Sequence, residues 1–509
     1  MKKYLHILLI VVYFSSFALA QNGFYKSIDV WGYANGITDL LVDNDTIVIY
    51  GTAGIDSLSG GGQFFMKIDT FGNIINSKLF LNDSLKLLST DKGNLIKTHD
   101  GGYAICGTTW DSIYKHEIYL LKIKNDLSFD FISYYNDTVF ESLYNGVILE
   151  FNSSFFLLGA EQFPYVNDYN MFVMRTDAQG NQLWKKSYPI PHSRDQGRGL
   201  IQIDSNTILF YASIGDDQGP GSATDTSKVF AYPTIVAIDT LGNTKWTWNW
   251  DGTKTEGWIG LRDLIITDDG EYIYSAVESN WSITTGFFFR PIAVKLNQSR
   301  EEVWHLVLDT TYFLPVYLDN VLMTLDSNFL FSGTYWYYFY HAKVTPDGTK
   351  LWDIKDSSKI DEWSFTRIKG TDLLSSGSII SGGEAAMDQT NGGRAVWSFL
   401  LKMNSNGCVD TLNCWPVSII EPTQPIDYQL SVFPNPASHL VNIQLKNSPF
   451  RKGRIIITNL AGQMVKTFRY SGNEVVWELD DVTNGLYFCR LEVDGELIDV
   501  QKIIVCCDP

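Results

Sequence analysis

The sequence is poor in the residues that build metal centres and nucleophilic sites. Only 7 histidines occur in 509 residues, and none stands in the H-x-x-x-H or H-E-x-x-H spacing that turns two imidazoles towards one zinc ion. There is no G-x-S-x-G elbow, phosphate-binding loop or G-x-G-x-x-G stretch, so the common hydrolase and nucleotide-binding patterns are missing. No cofactor and no metal site is therefore predicted. Cations are also scarce, 39 Lys and Arg against 57 Asp and Glu for a net charge of -18, which argues against a nucleic-acid partner or an anionic membrane surface. Beyond the N-terminus no uninterrupted apolar run approaches the roughly 18 residues of a membrane span, so the mature chain is expected to have no transmembrane segment. A sustained helical period of 3.6 is absent as well, and few helices are expected.

Cysteine is rare too, with 6 in the chain. Cys408 and Cys414 flank a short turn-rich stretch that suits a small closed loop, and a disulfide is predicted between them. Cys106 and Cys489 sit in apolar, strand-like runs and read as buried thiols, while the adjacent Cys506 and Cys507 have no nearby His or second Cys pair at ligand spacing to favour a redox or metal role.

What is present begins with an export signal. Lys2 and Lys3 precede the apolar run Leu5 to Phe17, and Ala18-Leu19-Ala20 supplies small residues for cleavage, so residues 1–20 read as a signal peptide. The aromatic share of 14% provides ample material for a buried core.

The body of the chain repeats. FFMKIDTFGNIINSKLF from Phe64, MFVMRTDAQGNQLWKKSY from Met171, TIVAIDTLGNTKWTWNW from Thr234 and HAKVTPDGTKLWDIK from His341 are clear copies, with weaker ones from Ile118, Ile292 and Ser398. Their anchors, Asp69, Lys124, Asp177, Asp239, Asn297, Thr345 and Asn404, recur about every 56 residues. Each copy alternates like a half-buried strand, then turns. Asp69, Asp177 and Asp239 are expected to accept local backbone hydrogen bonds, and Gly72, Gly180, Gly242 and Gly348 to supply positive φ. Four residues past the glycine position an aromatic follows at Trp184, Trp246, Trp304 and Trp352, large enough to fill the gap between neighbouring sheets. Four strands per repeat make one blade. The fold class predicted is all-β, a propeller of about seven blades over residues 21–417, with Tyr25 to Trp31 pairing into the last blade to close the ring. The stretch VAIDTLGNTKW from Val236 resembles the tryptophan-docking repeats of quinoprotein-type propellers, a likeness that implies the architecture and no quinone site.

A proline-rich linker over residues 418–427 separates this body from a second run of short alternating strands over 428–509, the pattern of a small immunoglobulin-like β-sandwich. Within it, Phe433-Pro434-Asn435-Pro436-Ala437, the Asn459-Leu460-Ala461-Gly462-Gln463 turn, Asn484-Gly485-Leu486-Tyr487 and the closing Lys502-Ile503-Ile504-Val505 resemble the type A sorting domain of the type IX secretion system. The resemblance implies recognition by the outer-membrane translocon, with the propeller released or held at the cell surface.

For function, the reading is an exported cell-surface or secreted propeller acting as a binding module. Loop aromatics such as Trp110, Trp281 and Trp336 are candidates to meet a glycan, peptide or surface-protein ligand. The alternative is a secreted polysaccharide hydrolase or lyase with carboxylates at the channel mouth. Asp216-Asp217, Asp268-Asp269 and Glu301-Glu302 read as solvated turn residues, and neither Asp43-Asn44-Asp45 nor Asp268-Asp269-Gly270 has the spacing of an EF-hand calcium loop.

Overall fold

The computed structural model describes residues 23–28, 35–53, 62–81, 86–88, 95–110, 116–136, 142–162, 169–188, 196–215, 231–250, 258–282, 286–309, 316–335, 338–356, 364–388, 394–409, 429–446, 453–459, 463–470, 474–480, 482–493 and 496–506. The chain divides into two compact units, Met1–Ser418 and Ile419–Pro509. Among the described residues every regular element is a strand.

Alternating apolar runs broken by turns leave each hairpin with two faces to bury, and a ring of sheets buries both. The first unit is seven consecutive antiparallel sheets. Blade 1 runs Asn35–Asp43, Thr46–Ala53, Gly62–Ile68 and Ile74–Leu81, and blades 3 to 6 repeat that order outward from the axis. In blade 2 the innermost strand is split into Lys86–Leu88 and Leu95–Lys97, both paired with Tyr103–Trp110. Each innermost strand packs against that of the next blade, and Ser364–Leu373 of blade 7 packs against Asn35–Asp43 of blade 1. The ring is closed.

Closure is also a matter of strand exchange. Blade 7 takes three strands from its own repeat, and its outermost strand is Phe24–Ile28, paired antiparallel with Arg394–Met403 in the register Tyr25 to Leu401 and Ser27 to Phe399. The expected pairing of Tyr25 to Trp31 is thus met over Tyr25 to Ile28; residues 29–34 lie outside the described ones.

The core lies between blades. Val48, Tyr50 and Phe65 of blade 1 pack with Tyr103, Ile105 and Tyr119 of blade 2, and comparable clusters fill each following joint. At the closing joint Phe24, Leu374, Ile380 and Leu400 meet Ile37, Ile49, Phe64 and Met66. Because no single sheet owns a core, the ring gains its burial only when complete.

The second unit has a three-stranded sheet, Gln429–Phe433, Leu440–Lys446 and Glu474–Glu478, and a four-stranded one ordered Met464–Tyr470, Gly453–Asn459, Gly485–Val493 and Glu496–Val505. Trp477 fills its interior edge-on to Tyr487, with ring centroids 5.5 Å apart.

Candidate functional site

The repeated turn residues prove to be joints between blades. Asp69 Oδ1 accepts the amides of Phe71 and Asn73 at 2.9 and 2.8 Å, and Asn73 Nδ2 donates to Oδ2 at 3.0 Å. Asp177 with Asn181, and Asp239 with Asn243, repeat the set. Hydrogen bonds from the side chain and amide of Asn181 and from the Gln179 amide hold the Asp177 carboxyl below its ordinary range. The glycines adopt the left-handed backbone expected, φ +80° at Gly72 and Gly180, +78° at Gly242 and +89° at Gly348. In the weaker copies Leu127 and Arg300 take that conformation without being glycine, at +66° and +65°.

Each of these turns receives the outermost strand of the preceding blade. A Cβ on Gly242 would stand 2.9 Å from the Trp184 ring, one on Gly348 3.0 Å from Trp304, and one on Gly407 3.2 Å from Trp352. At the seam the same place over Gly72 is filled by Phe24 and Lys26. Trp304 Nε1 donates to Pro346 O at 3.0 Å, and Tyr135 and Tyr188 donate to the carbonyls of Gly180 and Gly242 at 2.7 and 2.9 Å. The Lys of the Lys-x-Asp pattern also reaches forward: Lys343 to Ser405 O, Lys295 to Pro346 O and Lys402 to Thr70 O, at 3.2, 3.3 and 2.9 Å. The blade-turn repeat is a set of staples.

A second repeat lies at the axis and was missed in the sequence. Thr38, Arg198, Arg262 and Lys369 are each one residue too many in an innermost strand, a β-bulge at the same level of blades 1, 4, 5 and 7. Blades 3 and 6 break register there too, at Asn145-Gly146 and Leu318-Asp319, and blade 2 divides its strand at that level. A bulge re-aims side chains and interrupts pairing. As the innermost strand is the axial edge of its sheet, these positions lie on the axial side of their blades. The signal was present in the neighbouring strand, where Gly51, Gly159, Ala212, Ala276, Gly333 and Gly383 put a small residue beside each described bulge, and Gly107 stands at the same level in blade 2. A Cβ at Gly333 or Gly383 would come within 1.8 Å of the bulged backbone, at Tyr317 O or Arg367 O.

In blades 1, 3, 4, 5 and 7 the residue after the bulge either vanishes or clasps. It is Gly146, Gly199 or Gly370 where a side chain would strike the neighbouring strands. In blades 1 and 5 it is an aspartate: Asp39 Oδ2 accepts the Leu95 amide of blade 2 at 3.1 Å, and Asp263 Oδ2 accepts the Val321 amide of blade 6 at 2.7 Å while Oδ1 takes the Tyr211 hydroxyl at 2.7 Å. Asp372 closes the ring in the same manner, accepting Val42 of blade 1 at 2.7 Å. Burial pushes its carboxyl up, against the lowering effect of the Val42 and Leu373 amides. Asp39, Asp263 and Asp372 therefore join blades.

Around the channel wall the bulge residues differ from blade to blade. Blades 4 to 7 carry Arg198, Arg262, Asp319 and Lys369 in succession. Arg262 is held firmly: Nε and Nη2 both donate to Asp319 Oδ1, at 2.8 and 2.5 Å, and its guanidinium lies 4.8 Å from the centroid of Tyr317.

Of the other candidates, Trp110 and Trp281 fall in second strands of blades 2 and 5, and Trp336 and Asp216-Asp217 lie outside the described residues. Asp43 accepts from Lys97, Asn44 and Tyr103, and Asp45 from Ser375, so both acids tie blades together. Asp269 and Glu301 belong to turns, bonded to Thr267 and Asn297. Cys106 and Cys489 are buried free thiols and Cys506 an exposed one; Cys414 and Cys507 lie outside the described residues.

In the second unit the Pro434-Asn435-Pro436 motif docks on the last strand. Asn435 Nδ2 donates to Lys502 O at 2.6 Å and its Oδ1 accepts the Ile504 amide at 2.8 Å. Ala437 continues this as a short parallel bridge to Val505. Gly485 opens the strand that carries Tyr487, whose hydroxyl donates to Thr483 O at 2.6 Å. Gly462 lies outside the described residues.

Comparison with known proteins agrees with this division. No curated protein matches the chain in sequence. Among solved structures it is similar to the polysaccharide lyase Uly1, with a TM-score of 0.46 and 10% identity over 75% of this chain and 91% of that one. It is also similar to the β-propeller domain of the Trilobed protease from Pyrococcus furiosus, with a TM-score of 0.42 and 8% identity over 76% and 100% of the two chains. Residues 431–506 match the family described as the secretion system C-terminal sorting domain. No helix among the described residues is long and apolar enough to cross a membrane. The protein is a β-propeller joined to a type IX secretion C-terminal sorting domain, which directs its export to the cell surface or the medium.

Proposed function

We propose that the propeller is a binding module, delivered outside the cell and recognising its ligand, a glycan or a surface protein, at the axial channel. The observation that carries this reading is the contrast between two repeats in one chain. Positions that staple blades repeat one side chain in several copies, Asp69, Asp177 and Asp239 or Trp184, Trp246, Trp304 and Trp352. The bulge positions, equally regular in backbone, hold Thr38, Asn145, Arg198, Arg262, Asp319 and Lys369. Recognition of an asymmetric ligand is served by side chains that differ from blade to blade.

The carboxylates Asp39, Asp263 and Asp372 support binding over hydrolysis, since each accepts an inter-blade amide. The same reading includes cleavage of residues 1–20 during export and a Cys408–Cys414 bridge. A glycan array combined with a polysaccharide-degradation screen on the mature protein tests it. Retention of a glycan without release of soluble oligosaccharide is expected, and catalytic release of product would replace binding with the hydrolase or lyase reading.

A further inference from the structure

His341 breaks the repeat. Aligned on the small residue of the second strand, it stands in blade 6 where blades 1 to 5 have Phe65, Leu120, Val173, Ile235 and Ala293 and blade 7 has Leu400. We propose that the joint it occupies is an acid-sensitive latch: uptake of a proton by His341 opens blade 6 from blade 7 while the other joints stay closed.

Four buried polar groups meet in this joint, two from each blade. Ser332 Oγ donates to Thr371 Oγ1 at 2.8 Å, Thr371 Oγ1 stands 3.0 Å from Ser381 Oγ, and Ser381 Oγ stands 2.8 Å from His341 Nε2. A hydroxyl has one proton to give, so a run that starts at Ser332 arrives at Nε2 as an acceptor, and the imidazole is neutral with its proton on Nδ1. A second proton on Nε2 meets that of Ser381 head-on, and the run survives only if every member reverses. Among the described residues Nδ1 has no hydrogen-bond partner, and neither has Nδ2 of the buried Asn320, which is paired across the sheet with Ser332.

No neighbouring charge compensates for the proton. Lys343, two residues along the same strand, is itself a cation, held by Asp326 and by Ser405 O. In the outermost strand of blade 6, Lys350 and Asp353 pair with each other and Lys355 pairs with Asp309 of blade 5. In blade 7, Arg367 pairs with Glu384, Asp372 accepts from Val42 of blade 1, and Lys402 donates to Thr70 O of that blade. Lys369 stands at the inner-strand bulge and Tyr25 stacks on Phe399. Burial therefore acts alone on the imidazole and lowers it from 6.5 to about 3. An open joint returns His341 to water, where it protonates near its ordinary value, so opening is favoured by about ten- to thirtyfold on going from pH 7.5 to 5. This joint also has the least apolar burial to overcome: among the described residues its cluster has eight buried members, against ten to thirteen at the other six.

The test is hydrogen exchange read by mass spectrometry on the mature full-length protein at pH 7.5 and 5.0, with each rate corrected for intrinsic exchange. Peptides over 338–344, 364–373 and 379–388 report on this joint, and those over 46–53 and 103–110 on the joint of blades 1 and 2. Acid is expected to speed exchange about ten- to thirtyfold in the first set and less than about twofold in the second. His341→Gln, which keeps a polar group and removes the proton equilibrium, should abolish the rise. If near-ultraviolet circular dichroism shows that this variant has not folded, Ser381→Ala replaces it: cutting the run beside the imidazole should speed exchange in the first set at pH 7.5 and leave a rise in acid. An equal rise in both sets overturns the proposal, since acid would then loosen the whole propeller. So does the absence of any rise, a rise that survives His341→Gln, or a Ser381→Ala protein that exchanges like the wild type.

Discussion

Trp246 of blade 4 lies beneath the guanidinium of Arg300 in the turn of blade 5, with Cζ 4.1 Å from the ring centroid. Arg300 holds the left-handed conformation that glycine holds in the stronger copies. The cation over the ring replaces the bare backbone that lets a tryptophan approach elsewhere. Trp246→Ala is expected to destabilise by about 2 to 4 kcal/mol, whereas Arg300→Gly should change stability by less than about 1 kcal/mol, since relief of the positive φ offsets the lost cation–π contact. Urea denaturation midpoints check both, and an unaltered midpoint for Trp246→Ala would refute the staple.

Two glycines separate backbone strain from packing. Gly101 has φ +85° with nothing within 4 Å of a Cβ, and Gly242 has φ +78° with Trp184 at 2.9 Å. Gly101→Ala should cost about 1 kcal/mol from strain alone, and Gly242→Ala clearly more because the ring must also move. Equal losses in thermal or urea unfolding would contradict the docking of Trp184 on that turn.

His341 is buried between blades 6 and 7, its Nε2 2.8 Å from Ser381 Oγ in a network with Thr371 and Ser332. Burial pushes the imidazole down from 6.5 to about 3. The unfolded chain therefore takes up a proton at pH values where the folded one does not. The stability this group contributes is present above pH 6.5 and is lost as the pH falls towards about 3. His341→Gln should flatten the slope of unfolding free energy against pH in that window, and an identical slope would show that this histidine does not titrate between the two states.

Asn435 bonds the last strand through both ends of its amide. Asn435→Ala should destabilise the sorting domain by about 1 to 3 kcal/mol and lower the amount of protein reaching the medium or cell surface. Fractionation with immunoblotting checks delivery, and normal export at reduced domain stability would separate the fold of this motif from its recognition.

The proposed Cys408–Cys414 bridge predicts a linked peptide in a non-reducing digest, with Cys106 and Cys489 alkylated only after unfolding. Two free thiols at Cys408 and Cys414 in protein taken from the medium would remove the bridge.

The blade count and turn chemistry were legible because they are local. Asp69, Gly72 and Asn73 interact within one hairpin, so their spacing alone announces them. The sorting domain was legible for a related reason, its motifs being short and ordered. The axial site was not. Arg198, Arg262 and Lys369 share no sequence motif, and their common feature is a register shift that exists only when each strand is paired with its neighbour. The partners of Asp43 and Asp45 were out of reach in the same way, since Lys97, Tyr103 and Ser375 arrive from other blades.

By itself the sequence determined that the chain is exported, that its body is seven hairpin repeats and that a sorting domain follows, because period and turn type depend on residues a few positions apart. Only the tertiary structure decided that the repeat's Lys and Trp act on the turn of the next blade, and at which inner-strand residues the register breaks. Those outcomes come from contacts between strands about 56 residues apart or, at the seam, at opposite ends of the propeller, and such contacts exist only once every sheet has packed on its neighbours.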